Sequence, residues 1–377
     1  MTTPLYSHPA RIEINLKQFQ TNIQIIRAHI GKTKLCLPAK ANAYGHGLVP
    51  IAKAAIEAGV DVLAVSCLQE AFWLREAKIE QPILVFGAIH EDQIEQLIDL
   101  DVEITIASQW KANLVAAVCQ KLGKRCKIHI EVDTGMQRTG VRPSTALGLF
   151  QQMKESRYFD VVGVYSHFAS ANSPQDPIAL KQIERFFGLY SQLGLKDSSV
   201  ICHLANSGGV TYFPESHLDM VRPGILAFGY ADDQAPPSLR QVAPCFTLKA
   251  KISYTKVVGK NEGISYGHTF ITDEQTRIAT VPIGYGDGYR RSLSNVGSVL
   301  LRGKKYPIVG NVCMDQFMIN VGKDDAYVGD EVVLIGRQGD QEITLQEISQ
   351  LCNTVPHEIL SLFNERIPRI YILTNVP

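Results

Sequence analysis

From about Leu35 to Gly229 the chain repeats one pattern: a short β-branched run, then a longer segment whose apolar residues recur at three- and four-residue intervals. The strand-like runs are 35–40 (LCLPAK), 62–66 (VLAVS), 82–86 (PILVF), 103–107 (EITIA), 127–132 (KIHIEV), 161–166 (VVGVYS), 200–204 (VICHL) and 218–222 (LDMVR). Between them lie helical patterns such as 48–58, 108–121 and 177–193. Eight strands alternating with helices is the count of a (β/α)8 barrel. An open doubly wound sheet has the same periodicity and is the competing architecture.

A chain of 377 residues exceeds one ordinary core, which predicts a large domain of about 250 residues plus a smaller one. After about Ala243 the character changes. TLKAKISYTKVV, RIATVPIG, GSVLLRG, KKYPIVG and EVVLIG are short alternating runs separated by Gly, Asn, Asp and Lys, interrupted by one helical pattern at 344–352 and closed by RIPRIYIL. The expected division is therefore a barrel over residues 1–240 and a mostly-β domain over 241–377. Gly284-Tyr285-Gly286-Asp287-Gly288 has the look of a dinucleotide loop, but no helical pattern follows it, so it reads as a turn of the β domain.

The 37 basic and 37 acidic side chains cancel, leaving no electrostatic pull toward nucleic acid or anionic membrane. Eight scattered cysteines lack the spacing of a disulfide scaffold and read as reduced thiols. There is no C-x-x-C pair and no two histidines four apart, so no metal site is expected. The first residues lack the apolar run of a signal peptide, and no stretch is apolar enough to span a membrane, which predicts a cytoplasmic protein.

In such a barrel reactive groups project from the C-terminal ends of the strands. The first strand run ends in Lys40, followed by Ala41-Asn42-Ala43-Tyr44-Gly45-His46-Gly47. Desolvating an ammonium is costly, and that cost favours the free amine that forms a Schiff base. The fifth run leads into Asp133-Thr134-Gly135-Met136-Gln137-Arg138, where Arg138 can turn inward toward a carboxylate or phenolate. Strand six ends in Ser166-His167-Phe168, strand seven in Ala205-Asn206-Ser207-Gly208-Gly209, and strand eight in Arg222-Pro223-Gly224-Ile225. The last two turns together can offer backbone N–H groups to a phosphate. Taken singly, Lys40 could snorkel from the rim, Arg138 could form a surface salt bridge and His167 could be a satisfied core histidine. Their conjunction points to a phosphorylated ligand opposite Lys40.

These segments resemble the alanine racemases, fold-type III pyridoxal-phosphate enzymes, from Arg11-Ile12-Glu13-Ile14-Asn15-Leu16 to Arg366-Ile367-Pro368-Arg369-Ile370-Tyr371. Lys40 to Gly47 resembles the family's cofactor-lysine motif. Ser166-His167-Phe168, Ala205-Asn206-Ser207, Val221-Arg222-Pro223-Gly224, Tyr266-Gly267 and Cys313-Met314-Asp315 match as well. The resemblance implies interconversion of L- and D-alanine, supplying D-alanine for peptidoglycan, in a homodimer with shared active sites. Lys40 would bind pyridoxal 5'-phosphate covalently. Tyr44, Asn206, Ser207, Gly224 and Ile225 would surround its phosphate, Arg222 would face the pyridine nitrogen, and Arg138 the phenolic oxygen and substrate carboxylate. Tyr266 from the partner chain would be the second base, the Met314 backbone would help to bind the substrate carboxylate, and His167 would tune Tyr266 and Arg222.

Racemisation removes a proton from one face of Cα and returns one to the other, so two opposed bases suit it. Two positions depart from the family's pattern. Glu131 stands where many members carry a carbamylated lysine, and its carboxylate would accept hydrogen bonds from Arg138. His357 stands where many have a tyrosine that contacts the phosphate. A broader-specificity or serine racemase would share nearly all these residues. A decarboxylase of this architecture would present a carboxylate where Arg222 stands, and a non-catalytic cofactor-binding protein would not need Tyr266.

Overall fold

Strand β1 (Ala10–Asn15) alternates buried and half-buried residues, which puts Ala10, Ile12 and Ile14 on one apolar face. It lies ahead of the repeating pattern, and its partners are distant in sequence: antiparallel Phe246–Lys251 and parallel Arg369–Ile372. The structure, a computed structural model, describes residues 8–87, 89–195 and 198–373.

The repeating pattern folds as eight parallel strands: β2 (Lys34–Pro38), β3 (Val62–Val65), β4 (Ile83–Val85), β5 (Glu103–Ile106), β6 (Cys126–Glu131), β7 (Phe159–Tyr165), β8 (Ile201–His203) and β9 (Met220–Val221). Their order runs from β8 back through β2 to β9. Backbone bonds from Asp219 N to Cys202 O (3.0 Å) and from Arg222 N to Ala205 O (2.8 Å) then join the last strand to β8. That ring of hydrogen bonds selects the barrel over the open sheet. Strands such as β3 and β4 are buried along their whole length, as expected when both faces are covered.

Helices cover the outside, and their ends follow local chemistry. Pro177 opens Pro177–Leu193, where Asp176 Oδ1 accepts from Ile178 N (3.0 Å) and Ala179 N (3.3 Å). Gly123 and Gly194 stop their helices in the left-handed conformation. The expected strand 35–40 ends at Pro38, so Lys40 lies in the loop beyond β2 rather than on the strand.

A second compact unit consists of the chain up to Lys17, residues 44–47 and everything from Pro244. Its ten-stranded sheet carries the alternating runs foreseen in the C-terminal third, with β1 inserted between Phe246–Lys251 and Arg369–Ile372. The expected helix appears as Leu345–Leu351. A second helix, Pro356–Leu362, was not expected: its start at a proline and its seven residues give periodicity little to register. Gly284–Gly288 is a short turn around Tyr285–Asp287. Among the described residues no helix is long and apolar enough to cross a membrane.

Candidate active site

Beyond β2 the backbone does something that the sequence hides. Ala41, Asn42, Ala43 and Tyr44 all take left-handed dihedrals, with φ of 53°, 56°, 52° and 54°. For L-residues this costs roughly 1–2 kcal/mol each, so surrounding bonds must hold the turn. Ala43 N donates to Ala39 O (2.8 Å), Leu48 N to the Asn42 side chain (2.7 Å) and Asn42 N to Glu70 (3.3 Å). Gly45 follows at φ 77°, where a Cβ would stand 2.0 Å from Leu360 O, so only glycine fits.

This turn fixes Lys40 at the C-terminal mouth of the barrel. Burial lowers the pKa of its amine, the charge of Arg138 lowers it further, and Glu70 opposes both. Glu70 was not singled out in the sequence. It is buried in the first turn of Leu68–Glu76 and accepts from Ser66 N (2.9 Å) and Ser66 Oγ (3.1 Å). The N-cap position holds Cys67, so no capping-box pattern announces Glu70 in the sequence.

Arg222, just past β9, is 2% exposed. Its Nη1 donates to Nδ1 of His203 (2.7 Å), and its Nη2 to Ser166 O (2.7 Å), to Leu204 O (3.2 Å) and toward Nδ1 of His167 (3.4 Å). The guanidinium also lies over the Tyr165 ring, 5.2 Å from its centroid. His167 is thereby neutral: burial, then the charges of Arg222, Arg138 and Lys40, push its pKa down to about 3. Its carbonyl accepts from Gln182 Nε2 (2.9 Å), which also bonds Thr134 Oγ1 (3.1 Å) and so braces the loops after β6 and β7.

Arg138 is exposed on the loop after β6. Asp133 Oδ1 shapes that loop by accepting from Gly135 N (2.9 Å) and Gln137 N (3.1 Å). Glu131 is buried, and its carboxylate accepts from the Thr139 hydroxyl instead of from Arg138 as expected. Burial raises its pKa, while Thr139 and the charges of Arg138 and Arg222 work against that rise. The Thr139 hydroxyl takes that place, and Arg138 acts on the carboxylate through its charge.

Ser207 begins the short helix Ser207–Tyr212 and ties it to the turn after β9: its Oγ accepts from Gly224 N (2.9 Å) and Leu226 N (3.3 Å). Asn206 caps that helix by accepting from Gly209 N (3.0 Å). The two turns expected to work together, Ser207 with Gly224 and Ile225, are thus one bonded unit.

The remaining candidates belong to the β unit. Tyr266 is 74% exposed in a short turn whose carbonyl accepts from Asn311 Nδ2 (2.7 Å). Met314 is exposed on the neighbouring loop, and its carbonyl accepts from Gly286 N (2.8 Å). His357 sits near the start of Pro356–Leu362 with its ring 5.7 Å from that of Tyr44. Burial pushes the Tyr44 hydroxyl up to about 12, so it stays protonated.

Models of the alanine racemase N-terminal and C-terminal domains match residues 14–232 and 245–371. The chain belongs to the alanine racemase family. It is 38% identical to an alanine racemase of Methanococcus maripaludis over 373 residues, covering 98% of this chain and 100% of the relative. Among solved structures, the alanine racemase of Bacillus anthracis with bound L-Ala-P superposes with a TM-score of 0.91 at 35% identity, covering 98% of this chain and 96% of that one. The alanine racemase of Bartonella henselae with covalently bound pyridoxal phosphate gives 0.87 at 28% identity over 96% of this chain and 99% of that one.

Proposed function

We propose that this chain is a pyridoxal-phosphate-dependent isomerase that interconverts L-alanine and D-alanine. The observation that carries the reading is Lys40, an amine drawn toward its neutral form by burial and by Arg138 at the barrel mouth. The residues fit the cofactor: the joined turns of Ser207 and Gly224 suit a phosphate, and Arg222 suits a neutral ring nitrogen. Bound there, pyridoxal phosphate would stabilise the electron pair left when the substrate's α-proton departs.

Lys40 would hold the cofactor, and its amine would then move the α-proton on one face of the substrate. Ser207, Gly224, Ile225, Asn206, Tyr44 and His357 would enclose the phosphate. Arg222, a buried cation, would keep a proton off the ring nitrogen it faces. Arg138 would receive the substrate carboxylate, assisted by the Met314 backbone. Tyr266 would come from a second copy of the chain as the base on the opposite face, and its 74% exposure in one chain supports that sharing. His167, bonded to Arg222 and neutral, would orient rather than carry charge. The expected bounds of 1–240 and 241–377 give way to a barrel of Gln18–Ala43 and Leu48–Ala243, because Ala10–Asn15 pairs with Phe246–Lys251 and Arg369–Ile372 in the β unit; a cytoplasmic location and a D-alanine supply for peptidoglycan belong to the same reading.

Chirally resolved product analysis of pyridoxal-phosphate-loaded protein on L-alanine, L-serine and L-arginine tests it. D-alanine as the main product is expected. Absence of any D-product would overturn the proposal, and preferred turnover of serine or arginine would reassign the substrate.

A further inference from the structure

The inside of a parallel barrel is ordinarily filled by branched apolar side chains. Here His129 of β6 and His203 of β8 lie inside it, 1% and 0% exposed. Space is reserved for one of them: a Cβ on Gly163 of β7 would stand 2.2 Å from His129 Nδ1. The two rings continue the contact made by Arg222. His203 Nε2 lies 2.9 Å from His129 Nδ1, and His129 Nε2 lies 2.8 Å from Oε2 of Glu103, which opens β5 at the far end of the barrel.

Only one proton arrangement satisfies this row. A guanidinium can only donate, so Nδ1 of His203 must offer a lone pair to Arg222. His203 then carries its proton on Nε2 and donates to Nδ1 of His129, which carries its own proton on Nε2 and donates to the carboxylate. Tyr165 stacks on His203 (centroids 4.8 Å apart, 16° between planes) and bonds Thr105 through its hydroxyl (3.1 Å), which holds the ring plane. We propose that Glu103, acting through His129 and His203, is a positioning residue for Arg222: an acceptor at the closed end of the barrel selects the tautomers that let the guanidinium lie in place at the open end. In the opposite tautomer His203 would turn an N–H against the Arg222 N–H, and the guanidinium would be pushed aside. The inference rests on the Arg222 role proposed above and extends it to residues that touch neither cofactor nor substrate.

Nitrogen-15 NMR of ring-labelled histidines in the cofactor-free protein reads the arrangement directly. In the parent, both buried rings should be protonated on Nε2 alone. Glu103→Leu should introduce the Nδ1-protonated form of His129, and after loading should lower kcat about tenfold, the scale of one lost hydrogen bond to a charged group, with KM for L-alanine within about twofold. Glu103→Gln keeps an acceptor oxygen and should recover most of the rate. A parent ring protonated on Nδ1 or on both nitrogens overturns the proposal, as does a folded Glu103→Leu protein with parental ring signals. If Glu103→Leu does not fold, the parent spectrum and Glu103→Gln decide: altered ring signals at unchanged kcat in the latter refute the link to Arg222. A protein that fails to racemise alanine would leave the ring spectra as they are, so the two readings fail separately.

Discussion

Arg222 gives its Nη1 proton to Nδ1 of His203 at 2.7 Å, a neutral partner where a buried arginine would ordinarily meet a carboxylate. Burial and the Arg222 charge hold His203 neutral in turn. The guanidinium therefore keeps its full charge for whatever it faces. Replacing it by glutamate should reverse that influence: the loaded Arg222→Glu protein should racemise alanine on the order of a hundredfold more slowly and show a long-wavelength absorption band with alanine that the parent lacks. Parental spectra and rates would mean that Arg222 does not touch the cofactor ring.

Lys40 is the group whose loss should be complete. The loaded parent should be yellow through a cofactor bond that borohydride reduces, and Lys40→Ala should lack that band and lose at least about 10³-fold in activity, the scale of a lost acid–base group. Retention of the band in Lys40→Ala would move the attachment elsewhere.

The proposed sharing of sites between two copies of the chain is open to a mixing experiment. Lys40→Ala and Tyr266→Phe proteins, each inactive alone in at least one direction, should regain activity when their subunits exchange, because one of the two sites in a heterodimer is then intact. Heterodimers detected by mass spectrometry but without regained activity would show that Tyr266 acts within its own chain or not at all.

Acid should weaken the fold through its buried neutral histidines. His167 has a folded pKa of about 3 against 6.5 in the unfolded chain, so between those values the unfolded state binds the extra proton. Stability present above pH 6.5 is lost as pH falls toward 3, by up to about 1.4 kcal/mol per pH unit for each such histidine. His203 acts in the same direction. Glu131, with its pKa raised by burial, acts oppositely near the carboxylate range, which makes pH 7 to 5 the informative window. A urea midpoint that falls over this interval is expected, and His167→Asn should flatten the fall. A constant midpoint in the parent would contradict the buried neutral state.

The barrel strands were legible because strands covered on both faces read as short apolar runs with turn residues between them. Lys40, Arg138, His167, Ser207 and Arg222 stand out in the sequence as candidates because strand ends are where such a barrel keeps its polar side chains. The left-handed turn does not, since Ala41, Asn42, Ala43 and Tyr44 include no glycine to announce it. His129 and His203 were passed over because an isolated histidine in an apolar run reads as a satisfied core residue. The available signal was Gly163 in the middle of 161–166, a strand glycine whose missing side chain is occupied by His129. For Glu131, sequence shows that Arg138 and Thr139 are neighbours, not which of them turns toward the carboxylate.

Strand β1 carries a consequence for biosynthesis. It leaves the ribosome before any barrel strand, yet its two neighbours in the sheet, Phe246–Lys251 and Arg369–Ile372, are among the later parts of the chain to be made. Through most of translation its edges are unpaired and its apolar face, Ala10, Ile12 and Ile14, has no sheet to join. The β unit's sheet thus closes around β1 only once Arg369–Ile372 has been made, long after the barrel has all its strands.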